Sequence, residues 1–160
     1  MRTVKPHRKY MQLAVCEARK NLLVPDGGPF GACIVKGNKV IAVARNTVLK
    51  HDASCHAEVN AIRLASKKLK TYDLSGCRIY STTEPCPMCF SAIHWARIGS
   101  IIYGNNISDA KKIGFNELSI SNVSMKKIGK AKIKIISGVL RDECNRLFKE
   151  WAALPIRQLY

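Results

Sequence analysis

Strand-like and helix-like segments alternate along this chain, and that alternation limits the folds it can adopt. Residues 7–23 repeat apolar side chains every three or four positions, as an amphipathic helix does. Residues 30–46 have the pattern of two strands joined by a turn at KGNK. Further strands are predicted over 76–82, 99–105 and 132–137, and further helices over 56–70 (with Ser54 as its cap), 84–98, a short stretch of 108–121, and 138–154. We therefore expect residues 1–160 to form one α/β domain, a three-layer α/β/α sandwich around a mixed sheet.

Two of the predicted helices begin with metal-binding side chains. His56 opens one helix, and Cys86 and Cys89 lie in the first turn of another. Residues three apart share one face of a helix, so both sulfur atoms can point to one spot. Helices that follow parallel strands begin at the same edge of a sheet, which can bring His56 to the same place. One imidazole and two thiolates leave one tetrahedral position open, as in a catalytic zinc site.

Other interpretations of the two cysteines explain less of the sequence. A redox dithiol would not need the His-Ala-Glu at 56–58, and a structural zinc site would need a fourth ligand, for which Cys55 is the nearest candidate. An odd count of seven cysteines argues against a disulfide framework. Glu58 alone could be a glutamate stabilised by the helix dipole, but beside three metal ligands it becomes a candidate acid/base.

Charge is the unusual feature of the composition. The chain has 27 Lys and Arg against 11 Asp and Glu, a net charge of +16. Such an excess can attract nucleic acid, or it can simply keep a lysine-rich surface solvated. No apolar run approaches the roughly 20 residues of a membrane span, and no signal peptide is recognisable. We expect a cytoplasmic protein that does not bind membranes.

The order His-x-Glu followed by Pro-Cys-x-x-Cys is a signature of zinc deaminases. The chain resembles the cytidine-deaminase-like superfamily, in particular its purine-directed branch of guanine deaminases and wobble tRNA adenosine deaminases. The resemblance rests on GGPFGACIV (27–35), HAEVNAI (56–62), TEPCPMCFSAIHWARI (83–98) and DAKKIGF (109–115). It implies a five-stranded mixed sheet between helices, a homodimer or larger assembly, and one zinc ion per chain held by His56, Cys86 and Cys89. It also implies that Glu58 moves a proton from water to a purine ring nitrogen.

The same resemblance favours guanine as the substrate, converted to xanthine and ammonia, with a nucleoside such as guanosine as a further possibility. GGPFGA, the Trp-Ala-Arg at 95–97 and a final tyrosine are typical of guanine deaminases. In that family the tyrosine reaches over a neighbouring subunit's pocket. Glu117 stands where the family often has aspartate and would move a proton to the leaving ammonia. The resemblance implies these substrate contacts: Phe30, Asn46, Ala57, Trp95 and Tyr160.

Two other functions stay open at this stage. The segment 138–151 resembles the tRNA branch, for which the net charge of +16 would help to bind the anticodon arm. A non-catalytic zinc-binding subunit is a third hypothesis, although it would be expected to lack Glu58. Simpler roles also exist for the substrate contacts: Phe30 and Trp95 as core residues, Asn46 as a loop residue bonded to its own backbone, and Tyr160 as a frayed end.

Overall fold

The described residues, 5–160, form a central sheet of five strands in this computed structural model. The strands are β1 (Gly31–Lys36), β2 (Lys39–Arg45), β3 (Cys77–Thr83), β4 (Ser100–Asn105) and β5 (Lys134–Ile136), in the spatial order β2-β1-β3-β4-β5. Strand β1 pairs antiparallel with both β2 and β3, whereas β3, β4 and β5 run parallel. The predicted five-stranded mixed sheet is confirmed.

Six α-helices of the described chain surround the sheet: α1 (Arg8–Arg19), α2 (Ala57–Leu69), α3 (Pro87–Trp95), α4 (Ile107–Lys112), α5 (Asn122–Ile128) and α6 (Arg141–Ala152). Helices α1 and α6 pack on one face, and α2 and α3 pack on the other. This arrangement gives the three expected layers. Between residues 5 and 160 we find no helix that is both long enough and apolar enough to span a membrane.

Helix α2 lies close to the sheet because its buried face consists of alanines. Ala57, Ala61 and Ala65 are fully buried and pack in one cluster with Ile34 of β1 and Ile79 of β3. Strands β3 and β4 are parallel, so the helices that follow them begin at one edge of the sheet. The loop after β2 brings the first turn of α2 to the same edge.

The structure differs from the sequence-based prediction in the cap of α2 and in the presence of α5. Ser54 is not the cap of α2, because its hydroxyl is bonded to the Asp52 carboxylate at 2.5 Å and His56 occupies the cap position. Helix α5 was not predicted, because its lysines resemble a solvated run. It is nevertheless capped, since the Ser121 side chain accepts a hydrogen bond from the backbone N–H of Ser124.

Candidate active site

Three metal-binding side chains meet where α2 and α3 begin. His56 and Cys86 are the residues that cap these helices, and Cys89 lies in the first turn of α3. The His56 Nδ1 is 3.6 Å from the Cys86 Sγ, and ligand atoms of all three residues lie within 4.8 Å of one another. Tetrahedral zinc, with bonds of about 2.0 Å to nitrogen and 2.3 Å to sulfur, would hold such a pair roughly 3.5 Å apart. The donor set and its spacing therefore fit a zinc ion.

The surroundings of these ligands favour a thiolate. A hydrogen bond from Cys89 lowers the pKa of the Cys86 thiol to about 4, although burial opposes the shift. The same hydrogen bond, together with burial, raises the pKa of Cys89. Burial acts to lower the pKa of His56, but the bond to Cys86 and the charge of Glu58 raise it overall. All seven cysteines are free, so no disulfide joins Cys86 to Cys89.

Glu58 stands beside the ligands as a buried carboxyl group. Its Oε1 accepts a hydrogen bond from the Ser81 hydroxyl at 2.8 Å, and its Oε2 accepts one from the Cys89 thiol at 3.4 Å. Burial raises the pKa of Glu58, so this carboxyl group takes up a proton more readily than a solvated one. A solvated first-turn glutamate would have neither contact. The environment suits general acid/base chemistry.

A cavity of about 230 Å³ opens in front of these groups. It is smaller than the roughly 300–1,000 Å³ of pockets that hold drug-sized ligands. The predicted residues that line it are Phe30, Asn46, His56, Glu58, Cys86, Glu117 and Tyr160, and sequence reasoning missed Val48, Ala53, Thr83, Glu84, Phe115 and Asn116. Thr83, Glu84 and Phe115 do lie within the deaminase-like motifs, but a motif does not say which side chains point into a cavity.

Asn46 is held in a loop whose conformation requires a glycine at position 27. Its Oδ1 accepts a hydrogen bond from the Val48 backbone N–H at 3.1 Å, and a Cβ on Gly27 would lie 2.1 Å from that same oxygen. The Asn21 amide nitrogen holds the loop by donating to the carbonyl oxygens of Gly28 and Asn46, both at 2.8 Å. The amide oxygen can only accept, so the amide nitrogen is the group of Asn46 that can donate a hydrogen bond to a ligand.

Tyr160 closes one side of the cavity of its own chain. Its hydroxyl accepts a hydrogen bond from the Gly28 backbone N–H at 3.1 Å, and its carbonyl oxygen accepts one from Asn116 at 3.2 Å. The centroid of its ring is 5.2 Å from that of Phe115, which is 4.8 Å from that of Phe30. Burial raises the pKa of Tyr160 above its usual range. The tail thus packs on its own chain, whereas the resemblance implied a neighbouring subunit's pocket.

A second carboxyl group, that of Glu117, faces the cavity near Tyr160. Burial raises the pKa of Glu117 to about 7, and the negative charge of Cys86 adds to the effect. At neutral pH this carboxyl group is therefore divided between its protonated and ionised forms, so it can either give or accept a proton.

The structure does not bring two of the predicted substrate contacts to the cavity. Ala57 is the first residue of α2, and its side chain is fully buried in the core cluster between this helix and the sheet. Trp95 is the last residue of α3 and is 78% exposed. The helix begins at the cavity, and its rise carries Trp95 about 12 Å away from Pro87. Trp95 is therefore neither a core residue nor a wall of its own chain's cavity.

Comparison with known proteins agrees with this arrangement. Residues 4–105 match the family model of the cytidine and deoxycytidylate deaminase zinc-binding region. The chain is 43% identical over 112 residues to a guanine deaminase of Bacillus subtilis (strain 168), which covers 69% of this chain and 72% of that protein. It is 33% identical over 124 residues to a tRNA-specific adenosine deaminase of Buchnera aphidicola subsp. Schizaphis graminum (strain Sg), covering 77% and 79%.

The solved structure of a guanine deaminase from Nitrosomonas europaea is also similar, with a TM-score of 0.84 and 30% identity over 96% of this chain and 88% of that chain. The match extends from the zinc-binding segment to nearly the whole fold. The chain therefore belongs to the cytidine and deoxycytidylate deaminase zinc-binding family, and it is a hydrolytic deaminase.

Proposed function

We propose that this deaminase acts on a free purine base, guanine, which it converts with water to xanthine and ammonia. The observation that carries the proposal is the wall that Tyr160 adds to the cavity: its hydroxyl accepts a hydrogen bond from Gly28 and its ring packs on Phe115. A cavity of about 230 Å³ bounded in this way suits a small planar ring. The guanine deaminases among the similar proteins support the same substrate.

The residues that line the cavity would hold the base by its faces and its edges. Phe30 and Phe115 offer aromatic surface to a flat ring. The Asn46 amide nitrogen would donate a hydrogen bond to an acceptor on the purine. Glu117 would face the exocyclic amino group, where its carboxyl group could exchange protons with the departing nitrogen.

The chain's own carboxyl groups would carry the proton transfers. Zinc bound by His56, Cys86 and Cys89 would supply Lewis-acid activation of the attacking water. Glu58 takes a proton from that water and gives it to the ring nitrogen next to the reacting carbon. As the carbon–nitrogen bond breaks, Glu117 protonates the amino group, which leaves as ammonia. The proton of the added hydroxyl group then passes to the Glu117 carboxylate as the new carbonyl forms, so both carboxyl groups return to their starting states.

A tRNA adenosine deaminase is the second candidate function. Net charge supports it, since 27 basic residues against 11 acidic ones could bind phosphates of an anticodon arm. The tRNA-specific adenosine deaminases among the relatives support it as well. The closed position of Tyr160 argues against it, because a base on an anticodon loop must enter from an open side.

A substrate panel in the zinc-loaded enzyme separates the two candidates. We expect ammonia release from guanine, and weak or no release from guanosine, adenosine, cytosine, cytidine or an anticodon stem-loop. Guanine is neutral, so its kcat/KM should hardly change between 50 and 200 mM salt. Binding of tRNA through six to ten phosphates would weaken by about 10³–10⁵ over that range. Activity only on the stem-loop, with that steep salt dependence, would contradict the guanine proposal.

We also propose that two copies of the chain associate and that the protein works in the cytoplasm. Helices α3 and α5 pack against each other and carry exposed apolar side chains, namely Met88, Trp95, Val123 and Ile128. Such side chains are typical of surfaces that are covered in an assembly. Seven free cysteines are consistent with a reducing compartment.

A further inference from the structure

Four buried polar atoms beside the candidate active site have no hydrogen-bond partner among residues 5–160. They are the Oγ1 of Thr83, both amide atoms of Asn105 and the Oδ1 of Asn122. Each of these residues is at most 4% exposed. Buried polar groups nearly always have a hydrogen-bond partner. Both the oxygen and the nitrogen of the Asn105 amide lack one, so rotating the amide by 180° would not give either atom a protein partner.

Thr83 and Asn105 lie on the catalytic face of the sheet. They are register partners at the carboxyl ends of the parallel strands β3 and β4. Side chains alternate along a strand, so Thr83 shares its face with Ser81, whose hydroxyl is bonded to Glu58. Thr83 also lines the active-site cavity. The unsatisfied atoms therefore begin directly beside the candidate acid/base.

Glu84 connects this region to a second cavity. Its carboxylate accepts hydrogen bonds from the backbone N–H groups of Asn122 at 2.8 Å and Ile107 at 3.2 Å. Glu84 lines both the active-site cavity and a cavity of about 520 Å³ that reaches the exposed Lys111 and Lys112. Asn122 is thus bonded to the residue that lines both the cavity at the active site and the one that reaches the surface.

We propose that water molecules bonded to Thr83, Asn105 and Asn122 form a passage between the two cavities. Several polar atoms that lack protein partners, grouped in one place, are the surroundings in which buried water is usually held. Each turnover consumes one water molecule and releases one ammonia molecule, as the amino group of the purine is replaced by oxygen. While the base and Tyr160 fill the mouth of the site, this passage lets water enter and ammonia leave. The role of the passage in turnover rests on the proposed deaminase function, whereas the presence of water at these atoms does not.

The first test concerns hydration and does not depend on the substrate. A high-resolution crystal structure of the zinc-loaded protein without substrate should place ordered water within hydrogen-bond distance of the Asn105 amide and the Thr83 hydroxyl. If both groups instead bond to protein atoms, or no water lies there, the passage is overturned. A failure of the guanine proposal would leave this result intact.

The second test is kinetic and uses whichever base the enzyme deaminates. Asn105→Leu replaces the amide by an apolar group of similar size. We expect kcat to fall about fivefold or more because ammonia release becomes limiting, with KM falling in proportion so that kcat/KM changes less than about twofold. The first turnover should keep its rate, since it uses water that is already in the site, so the product should appear in a burst.

Thr82→Val is the matched control. Thr82 is buried one residue from Thr83, but its hydroxyl accepts a hydrogen bond from Gly31 instead of facing the passage. The control should lose stability without producing a burst. If Asn105→Leu does not fold, Thr83→Val compared with Thr83→Ser asks the same question. Equal slowing of the first and later turnovers, or kinetics like those of the control, would overturn the passage.

Discussion

Glu58 combines the contacts expected of an acid/base with a position two residues after a metal ligand. Replacement by glutamine keeps the size of the side chain but removes the proton that it transfers. We expect Glu58→Gln to keep its zinc and to lose roughly 10²–10⁴ of turnover, the range that general acid/base steps supply. Metal analysis and steady-state kinetics measure the two effects. As a control, Glu143→Gln on α6 breaks only an ion pair with Arg8 and should change neither the zinc content nor the turnover. Near-normal turnover of Glu58→Gln would contradict the assignment and make Glu117 the candidate base.

The raised pKa of Glu117 predicts how kcat depends on pH. Its pKa is raised from 4.5 to about 7 by burial, so the carboxyl group keeps its proton below pH 7 and loses it as the pH rises further. If that proton goes to the leaving ammonia, kcat should decline as the pH rises through about 7. Glu117→Gln should be slower at neutral pH and should lack this decline. A pH–rate profile of kcat for both proteins checks the prediction, and an unchanged decline in the variant would contradict it.

At the scale of elements, the segment that follows α6 determines how closed the site is. Tyr160→Ala removes both the ring on Phe115 and the hydroxyl bonded to Gly28. We expect kcat/KM for guanine to fall about tenfold or more, because an open site admits water and holds the base loosely. Tyr160→Phe keeps the ring and should lose less. Unchanged guanine kinetics in Tyr160→Ala, or a gain on an anticodon stem-loop, would favour the tRNA candidate.

Much of the sheet and of the ligand set could be predicted because local pattern determines it. The alternating strands and the cysteine spacing are visible in the sequence, and the structure brings His56, Cys86 and Cys89 together. Helix α5 was not predicted because its seven residues, which include Lys126 and Lys127, are too few to show a clear helical periodicity. The positions of Trp95 and Tyr160 depend on where α3 points and how the tail returns, and such long-range packing leaves no local signal.

At the scale of the whole molecule, the exposed face of α3 and α5 predicts self-association. Trp95→Lys places a charge on a side chain that is 78% exposed in the single chain. If Trp95 is covered by a second copy, the variant should shift the mass measured by light scattering from dimer toward monomer. Leu23→Lys is the matched control, because Leu23 is 86% exposed and lies in the segment that follows α1. This variant should not shift the measured mass. A monomeric wild-type protein would contradict the proposal.

The alanine face of α2 ties metal affinity to the packing of the sheet. Ala57, Ala61 and Ala65 have no side-chain rotamers with which to absorb a displacement, and they rest on Ile34 and Ile79. A close-packed interior transmits strain, so a change of side-chain volume beneath α2 would shift the helix as a rigid rod. His56 sits at the end of that rod. Substitutions of core residues that do not contact the metal ligands would therefore change the affinity of the site for zinc.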